Sequence, residues 1–351
     1  MLITGGAGFV GANLADRLAA EGRTVLLYDA LARDHVEENV HWLQRRHGPR
    51  IAVAVGDVRD VYGLRDAVRG AEQVFHLAAQ VAVTASIDDP AEDFEVNARG
   101  TFNVLEATRA HPSPPPLVFA STNKVYGAAC SLAELVEEEL RYRPLAPALV
   151  HGFDESRPLD LHSPYGCSKG SGDQYVLDYA RIFGIPAVVF RMSCIYGPRQ
   201  FGTEDQGWVA HFARAVLAGH PITLYGTGKQ VRDLLFVSDL VEAYLLAQRQ
   251  MPALRGRAFN IGGGPENAAS LLEILGLIEQ VSGGSPRLRR AGWRPGDQPW
   301  YVSDIRRFSA ATGWQPRVGI GEGVARLMHW LSAGRGISAG AAREVAACAS
   351  R

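Results

Sequence analysis

The chain has 351 residues, with 36 Lys and Arg against 37 Asp and Glu and a formal net charge of -1. A near-neutral chain without a dominant basic stripe argues against a nucleic-acid partner, and no apolar run approaches the ~18 residues of a membrane span, so neither signal peptide nor anchor is expected and the expected location is cytoplasmic. Its four cysteines, at 130, 167, 194 and 348, show neither Cys-x-x-Cys nor metal-ligand spacing, so no disulfide framework and no metal site is expected.

Leu2-Ile3-Thr4 is a short apolar run followed by Gly5-Gly6-Ala7-Gly8-Phe9-Val10-Gly11, a helical pattern from Ala12 to Glu21 and a second strand over Thr24 to Asp29. This order predicts strand, glycine turn, helix, strand. Gly5, Gly8 and Gly11 permit a tight turn, close approach of the backbone to a pyrophosphate and close helix packing, with Phe9 and Val10 in the same turn and the phosphate on the helix N-terminus. Asp29 stands at the spacing expected of an acid that accepts hydrogen bonds from an adenosine ribose. A carboxylate there repels a 2′-phosphate, which favours NAD over NADP.

Buried strands are predicted at Ile51 to Val55, Gln73 to Leu77, Leu117 to Ala120 and Ala187 to Phe190, with helical stretches between them. The alternation predicts an α/β fold, a Rossmann-type doubly wound parallel sheet with the ligand across the carboxyl ends of its strands. At those ends Asp57 and Val58 are candidates to flank an adenine, and Leu77, Ala78, Ala79 and Gln80 to line the cofactor; His76 reads as a strand-end core residue. From Ser193 the alternation loosens. Cys194 to Gly207 reads as a long loop, followed by a helix near Trp208 to Ala218, a strand at Ile222 to Tyr225 and helices at Asp239 to Gln250 and Ser270 to Val281. A smaller, interleaved α/β domain follows from this: residues 1–192 with about 234–262 bind the cofactor, and 193–233 with 263–335 bind the substrate. The stretch 336–351 reads as either an ordered helix or a frayed tail.

Tyr165 and Lys169 lie four residues apart, so on a helix they share one face. A fixed ammonium favours phenolate and would draw the tyrosine down from its ordinary value of about 10. Ser121-Thr122 follows the central predicted strand and would stand at the mouth of the same sheet.

Glycine fingerprint, Ser121-Thr122 and Tyr165-x-x-x-Lys169 together resemble the extended short-chain dehydrogenase/reductase family of nucleotide-sugar enzymes, from residue 1 to about 335. The resemblance implies catalytic roles for Thr122, Tyr165 and Lys169, with Tyr165 as acid/base and Lys169 on the nicotinamide ribose. Ser121 to Gly127, His162 to Lys169, Arg199-Gln200-Phe201 with Asp205-Gln206-Gly207-Trp208, and Gly228 to Asp233 look like the CDP-tyvelose (CDP-paratose) 2-epimerases. Related 4,6-dehydratases carry Asp-Glu after the threonine, where this chain has Asn123 and Lys124; an amide and an ammonium cannot do that carboxylate work. Asn123 and Lys124 either meet the substrate or shape the loop. Arg232 and Arg294 match diphosphate-binding arginines, or else pair with Asp233 or Asp297, and Arg199 and Gln200 are expected to line the cleft. Cys194 replaces an asparagine usual in 4-epimerases. What the resemblance implies is NAD-dependent epimerisation of a nucleotide-diphosphate sugar through a transient ketone, at C2 of a CDP-linked deoxyhexose, by a homodimer or homotetramer. The alternatives are a UDP-hexose or UDP-uronate 4-epimerase and, outside enzymes, an NAD-binding regulatory or scaffold protein.

Overall fold

The computed structural model describes residues 1–333, so the tail expected at 336–351 lies outside the described residues. Along the chain run β1 (Leu2–Thr4), α1 (Phe9–Ala20), β2 (Val25–Asp29), α2 (Val36–His47), β3 (Ile51–Val55), α3 (Val61–Arg69), β4 (Val74–His76), α4 (Val83–Asp88), α5 (Pro90–Phe94), α6 (Gly100–Arg109) and β5 (Leu117–Thr122). A small hairpin, β6 (Leu135–Glu137) and β7 (Tyr142–Pro144), precedes the long helix α7 (Ser163–Ile182) and β8 (Ala187–Met192). Then come β9 (Cys194–Tyr196), α8 (Trp208–Ala218), β10 (Ile222–Tyr225), β11 (Val231–Phe236), α9 (Val237–Arg249), α10 (Met251–Leu254), β12 (Arg257–Ile261), β13 (Ala268–Ser270) and α11 (Leu271–Ser282). The described chain closes with β14 (Leu288–Ala291), β15 (Trp300–Tyr301), α12 (Arg306–Thr312) and α13 (Ile320–Ala333).

Seven parallel strands form the main sheet in the order β3-β2-β1-β4-β5-β8-β12, reversing direction of growth between β1 and β4. This is the doubly wound arrangement, and its switch point places the glycine turn after β1 beside the Leu77 to Gln80 segment after β4. The central strands β1, β4 and β5 are buried on both faces because helices cover both. On one side Tyr244 of α9 packs against Phe75 and Phe190 of the sheet, with ring centroids 5.8 and 5.2 Å apart. Each such fully buried aromatic contributes roughly 1.5–3 kcal/mol of apolar burial, which ties α9 and β12 to the first sheet although they follow the second in sequence.

The second lobe is built on β11, which pairs antiparallel with β13 and parallel with β15 and β9, beside a two-stranded pair of β10 and β14. Two boundaries differ from expectation. Helix α1 begins at Phe9 instead of Ala12, because Gly8 takes the extended cap position and Gly11 fits inside the first turns. Cys194 to Tyr196, expected as loop, is the strand β9, since Leu234 to Phe236 supply a parallel partner that three residues alone do not reveal.

Candidate active site

Gly5 has φ of 69°, and a Cβ there would lie 2.7 Å from the Ala78 nitrogen; at Gly11 a Cβ would lie 2.4 Å from the Gly5 carbonyl oxygen. Only glycine lets the turn, α1 and the Leu77-Ala78 backbone come this close. The N-terminus of α1 has no acidic residue in its first turn and no side-chain cap. Its amides and dipole therefore face the turn free of a competing carboxylate, which fits a pyrophosphate. Asp29 is held at the end of β2 by accepting hydrogen bonds from the amides of Ala7 and Leu31, each at 2.9 Å. These residues fit a dinucleotide. Phe9, Val10, Leu77 and Ala79 line one continuous cleft with Thr122, Tyr165 and Lys169.

Asp57 and Val58 lie just past β3. Arg59 holds the Asp57 carboxylate with Nε at 2.9 Å and Nη2 at 2.6 Å, keeping it below its ordinary range, and Val58 is buried with its carbonyl accepting from Asn103 Nδ2 at 3.0 Å. Gln80 departs from expectation. Its side chain turns inward, where Nε2 donates to the Ala82 carbonyl at 2.8 Å and to Asp93 Oδ1 at 3.1 Å, so it braces the loop after β4.

Thr122 ends β5 and caps the turn behind it, its Oγ1 accepting from the Lys124 amide at 3.2 Å. Thr122 and Tyr165 line the same cleft, and the threonine side chain favours the ionised phenol. Helix α7 can bring Tyr165 there because Pro164 occupies its first turn and Gly166 passes the Lys124 carbonyl, where a Cβ would lie only 3.3 Å away. The Tyr165 amide is anchored by donating to Ser86 Oγ at 3.1 Å. Lys169 is 2% exposed, with Nζ 4.3 Å from the centre of the Phe119 ring. In the chain by itself burial governs both groups: it pushes the Tyr165 hydroxyl up to about 12, against the pull of Thr122, and pushes Lys169 down to about 7, against Asp173 and Asp93. The expected depression of the tyrosine by the lysine is not seen: burial sets its value, with Asp93 adding to the rise.

Across the cleft Lys124 Nζ donates to the Gly296 carbonyl at 3.0 Å and to Gln298 Oε1 at 3.3 Å, and burial beside Arg232 pushes it down to about 8. Asn123 Nδ2 also reaches Gln298 Oε1, at 3.3 Å. Arg232 pairs with Asp297 at 2.6 Å, while Asp233 is buried against Ser193. Arg294 lies 3.8 Å over the Tyr225 ring and meets Glu204 and Asp205 at 3.4 and 3.5 Å, not Asp297. Both arginines line the cleft, as does Gln200. Arg199 does not line it: its guanidinium stacks 3.9 Å from the Trp42 ring centre, with Trp330 at 5.8 Å on another side.

Residues 1–262 match the family model described as the NAD dependent epimerase/dehydratase family. The chain belongs to that family. CDP-paratose 2-epimerase of Salmonella typhi is 42% identical over 339 residues, covering 95% of this chain and 99% of that protein. UDP-glucose 4-epimerase of Mycolicibacterium smegmatis is 32% identical, covering 94% and 97%. The crystal structure of Thermus thermophilus UDP-glucose 4-epimerase in complex with NAD superposes with a TM-score of 0.79 at 34% identity, covering 96% of this chain and 99% of that one.

Of the polar residues that support the cleft, Asp173, Arg191, Asp93, Asn97, Thr84, His211 and Gln230 were not singled out from sequence, whereas Ser121, Gln80 and Gln200 were. Asp173, Arg191 and Ser121 form a buried polar network that joins α7, β8 and β5, and Asp93 forms another with Ser168, Asn97 and Gln80. The spacing Tyr165, Lys169, Asp173 was the available signal for the first, since residues four apart share a helix face. Thr84 Oγ1, Gln200 Oε1, His211 Nδ1 and Gln230 Oε1 line the cleft and are buried without a partner among the described residues. Such atoms want hydrogen bonds, and a sugar nucleotide rich in hydroxyl, phosphoryl and base groups supplies them.

Proposed function

We propose that the protein inverts one carbinol carbon of a nucleotide-diphosphate sugar, at C2 of a CDP-linked deoxyhexose, by transient oxidation to a ketone. The observation that carries this reading is the chemistry around Thr122. The acids lining the cleft among the described residues are Glu204, Asp205 and Asp297, each engaged by Arg294 or Arg232, while Thr122 has Asn123 and Lys124 beside it. Elimination of water needs a further acid and base beside Tyr165, and the two positions after Thr122 carry an amide and an ammonium in place of carboxylates. The identity with the Salmonella typhi 2-epimerase supports the position of inversion.

NAD, when bound, supplies a reversible hydride acceptor and a positively charged ring near the catalytic pair. Gly5, Gly8, Gly11 and the N-terminus of α1 would hold its pyrophosphate and Asp29 a ribose. Thr122 Oγ1 orients the reacting hydroxyl, and Tyr165 removes its proton and later returns it. Because burial, with Asp93 adding to it, holds the phenol near 12, cationic charge beside it favours loss of the proton; Lys169, kept in place by Phe119, is the chain's own source. Between removal and return the sugar must present its other face, so its diphosphate needs a fixed anchor. Arg232 and Arg294 provide two guanidinium forks on the cleft wall.

The lobe built on the seven-stranded sheet (1–192 with about 234–262) binds NAD in this reading, and the rest of the chain binds the sugar nucleotide in the cytoplasm. No described helix is long and apolar enough to cross a membrane. Tyr175 and Ile182 of α7 and Phe183 just past its end are 47, 63 and 48% exposed, an apolar face suited to a second copy in a homodimer or homotetramer. Incubation with CDP- and UDP-linked sugars, followed by proton NMR, tests the reading. Inversion at C2 of the CDP sugar is expected; inversion at C4 alone would reject it in favour of a 4-epimerase.

A further inference from the structure

The segment between β9 and α8, residues 197–207, is fastened to both lobes. Asn13 Nδ2 of α1 donates to the Pro198 carbonyl at 3.0 Å, and Arg33, four residues past Asp29, donates to Gln206 Oε1 at 3.2 Å. Arg199 stacks on Trp42 of α2 at 3.9 Å and lies 5.8 Å from Trp330 of α13. Phe201 meets Trp330 and His35, with ring centroids 5.9 and 5.3 Å away. Arg199 also has φ of 71°, a left-handed conformation that a non-glycine residue holds only when its surroundings impose it. From the other face of the same segment Gln200, Gln206 and Gly207 line the cleft shared with Phe9 and Val10 of the glycine turn.

We propose that Arg199 is a positioning residue that clamps segment 197–207 across the cofactor end of the cleft and thereby slows release of NAD. The clamp explains why a residue expected to touch substrate points away from it: the planar guanidinium bridges two indoles from opposite lobes, and opening the segment breaks both contacts together. A lysine cannot stack in this way. Holding NAD through repeated turnovers suits an epimerase, which regenerates its cofactor each time and needs no exchange. The inference rests on the chain holding NAD and is independent of which carbon is inverted.

The test measures NAD release from the loaded, full-length protein by trapping with excess NADH and following bound-NADH fluorescence, with no sugar present. R199A is expected to release NAD ~10-fold faster than the parent, the loss of one to two cation–π contacts, and R199K is expected to fall between. L254A, a cavity variant in α10 remote from the clamp, should destabilise the fold yet release NAD at the parental rate. Should R199A not fold, R199K and W42L carry the same comparison. Parental release rates in the folded clamp variants, or equal acceleration in L254A, would overturn the proposal.

Discussion

Arg191 grips Asp173 with two parallel hydrogen bonds, Nε to Oδ2 at 2.8 Å and Nη2 to Oδ1 at 2.9 Å, and their side chains are 6% and 0% exposed. Ser121 Oγ donates to the same carboxylate at 2.9 Å, and Tyr126 receives the remaining arginine arm at 3.1 Å. The pair therefore joins β5, α7 and β8 directly beneath Thr122 and Lys169. Removing one partner leaves a buried charge uncompensated, which costs about 3–5 kcal/mol. Asp173→Ala should lower the urea unfolding free energy by that amount, and the double replacement Asp173→Leu with Arg191→Met by markedly less.

Tyr165→Phe removes the hydroxyl that exchanges the sugar's proton in the proposed function and keeps the ring. Epimerisation should fall by roughly 10²–10⁴, whereas bound NAD and the melting temperature should change little. An unaltered rate would assign the acid/base role elsewhere.

Asp93 is buried and accepts from Ser168 Oγ at 2.5 Å, Asn97 Nδ2 at 3.0 Å and Gln80 Nε2 at 3.1 Å. Lys169 and Tyr165 are the charged and titratable groups that feel it, and its negative charge raises both. In Asp93→Asn that charge is gone, so Lys169 loses its proton below about 7 and Tyr165 ionises more easily. Both limbs of the pH profile of kcat should move to lower pH, and activity at pH 8 relative to pH 6 should drop. An unshifted profile would leave Asp93 with a packing role only.

The parts of this site that were legible in the sequence are those whose geometry is local. The glycine turn, Asp29 and the Tyr165/Lys169 pair are set by spacing along one turn or one helix, and alternating strands and helices carry the doubly wound sheet. Arg199 was misread because its partners, Trp42 and Trp330, come from distant parts of the chain and no local pattern announces them. Gln80 was read as a cofactor contact from its place at a strand end, yet a buried carboxylate on α5 claims its side chain. Asp93 itself, in a short stretch rich in acids, looks like solvated surface until the packing of α5 on α7 buries it.

His76 is 1% exposed and hydrogen-bonds the hydroxyls of Thr4 and Thr101 at 2.7 and 3.1 Å. Burial, with Lys169 adding to it, pushes it down to about 3. The folded protein thus holds a neutral imidazole at pH values where the unfolded chain, titrating near 6.5, binds a proton. The stability this neutral histidine contributes is complete above about 6.5 and is lost as pH falls toward 3, by roughly 2–3 kcal/mol at pH 4.5. In His76→Gln, acidification from pH 7 to 4.5 should destabilise by that much less, measured by urea titration at each pH.

Incubating the NAD-loaded protein with CDP-paratose in D₂O and following the sugar by proton NMR tests the central claim most directly. Transient oxidation at the inverted carbon predicts a new C2 epimer that retains protium at C2, because the hydrogen leaves and returns within one active site. Inversion at C4, or deuterium appearing at C2, would contradict it.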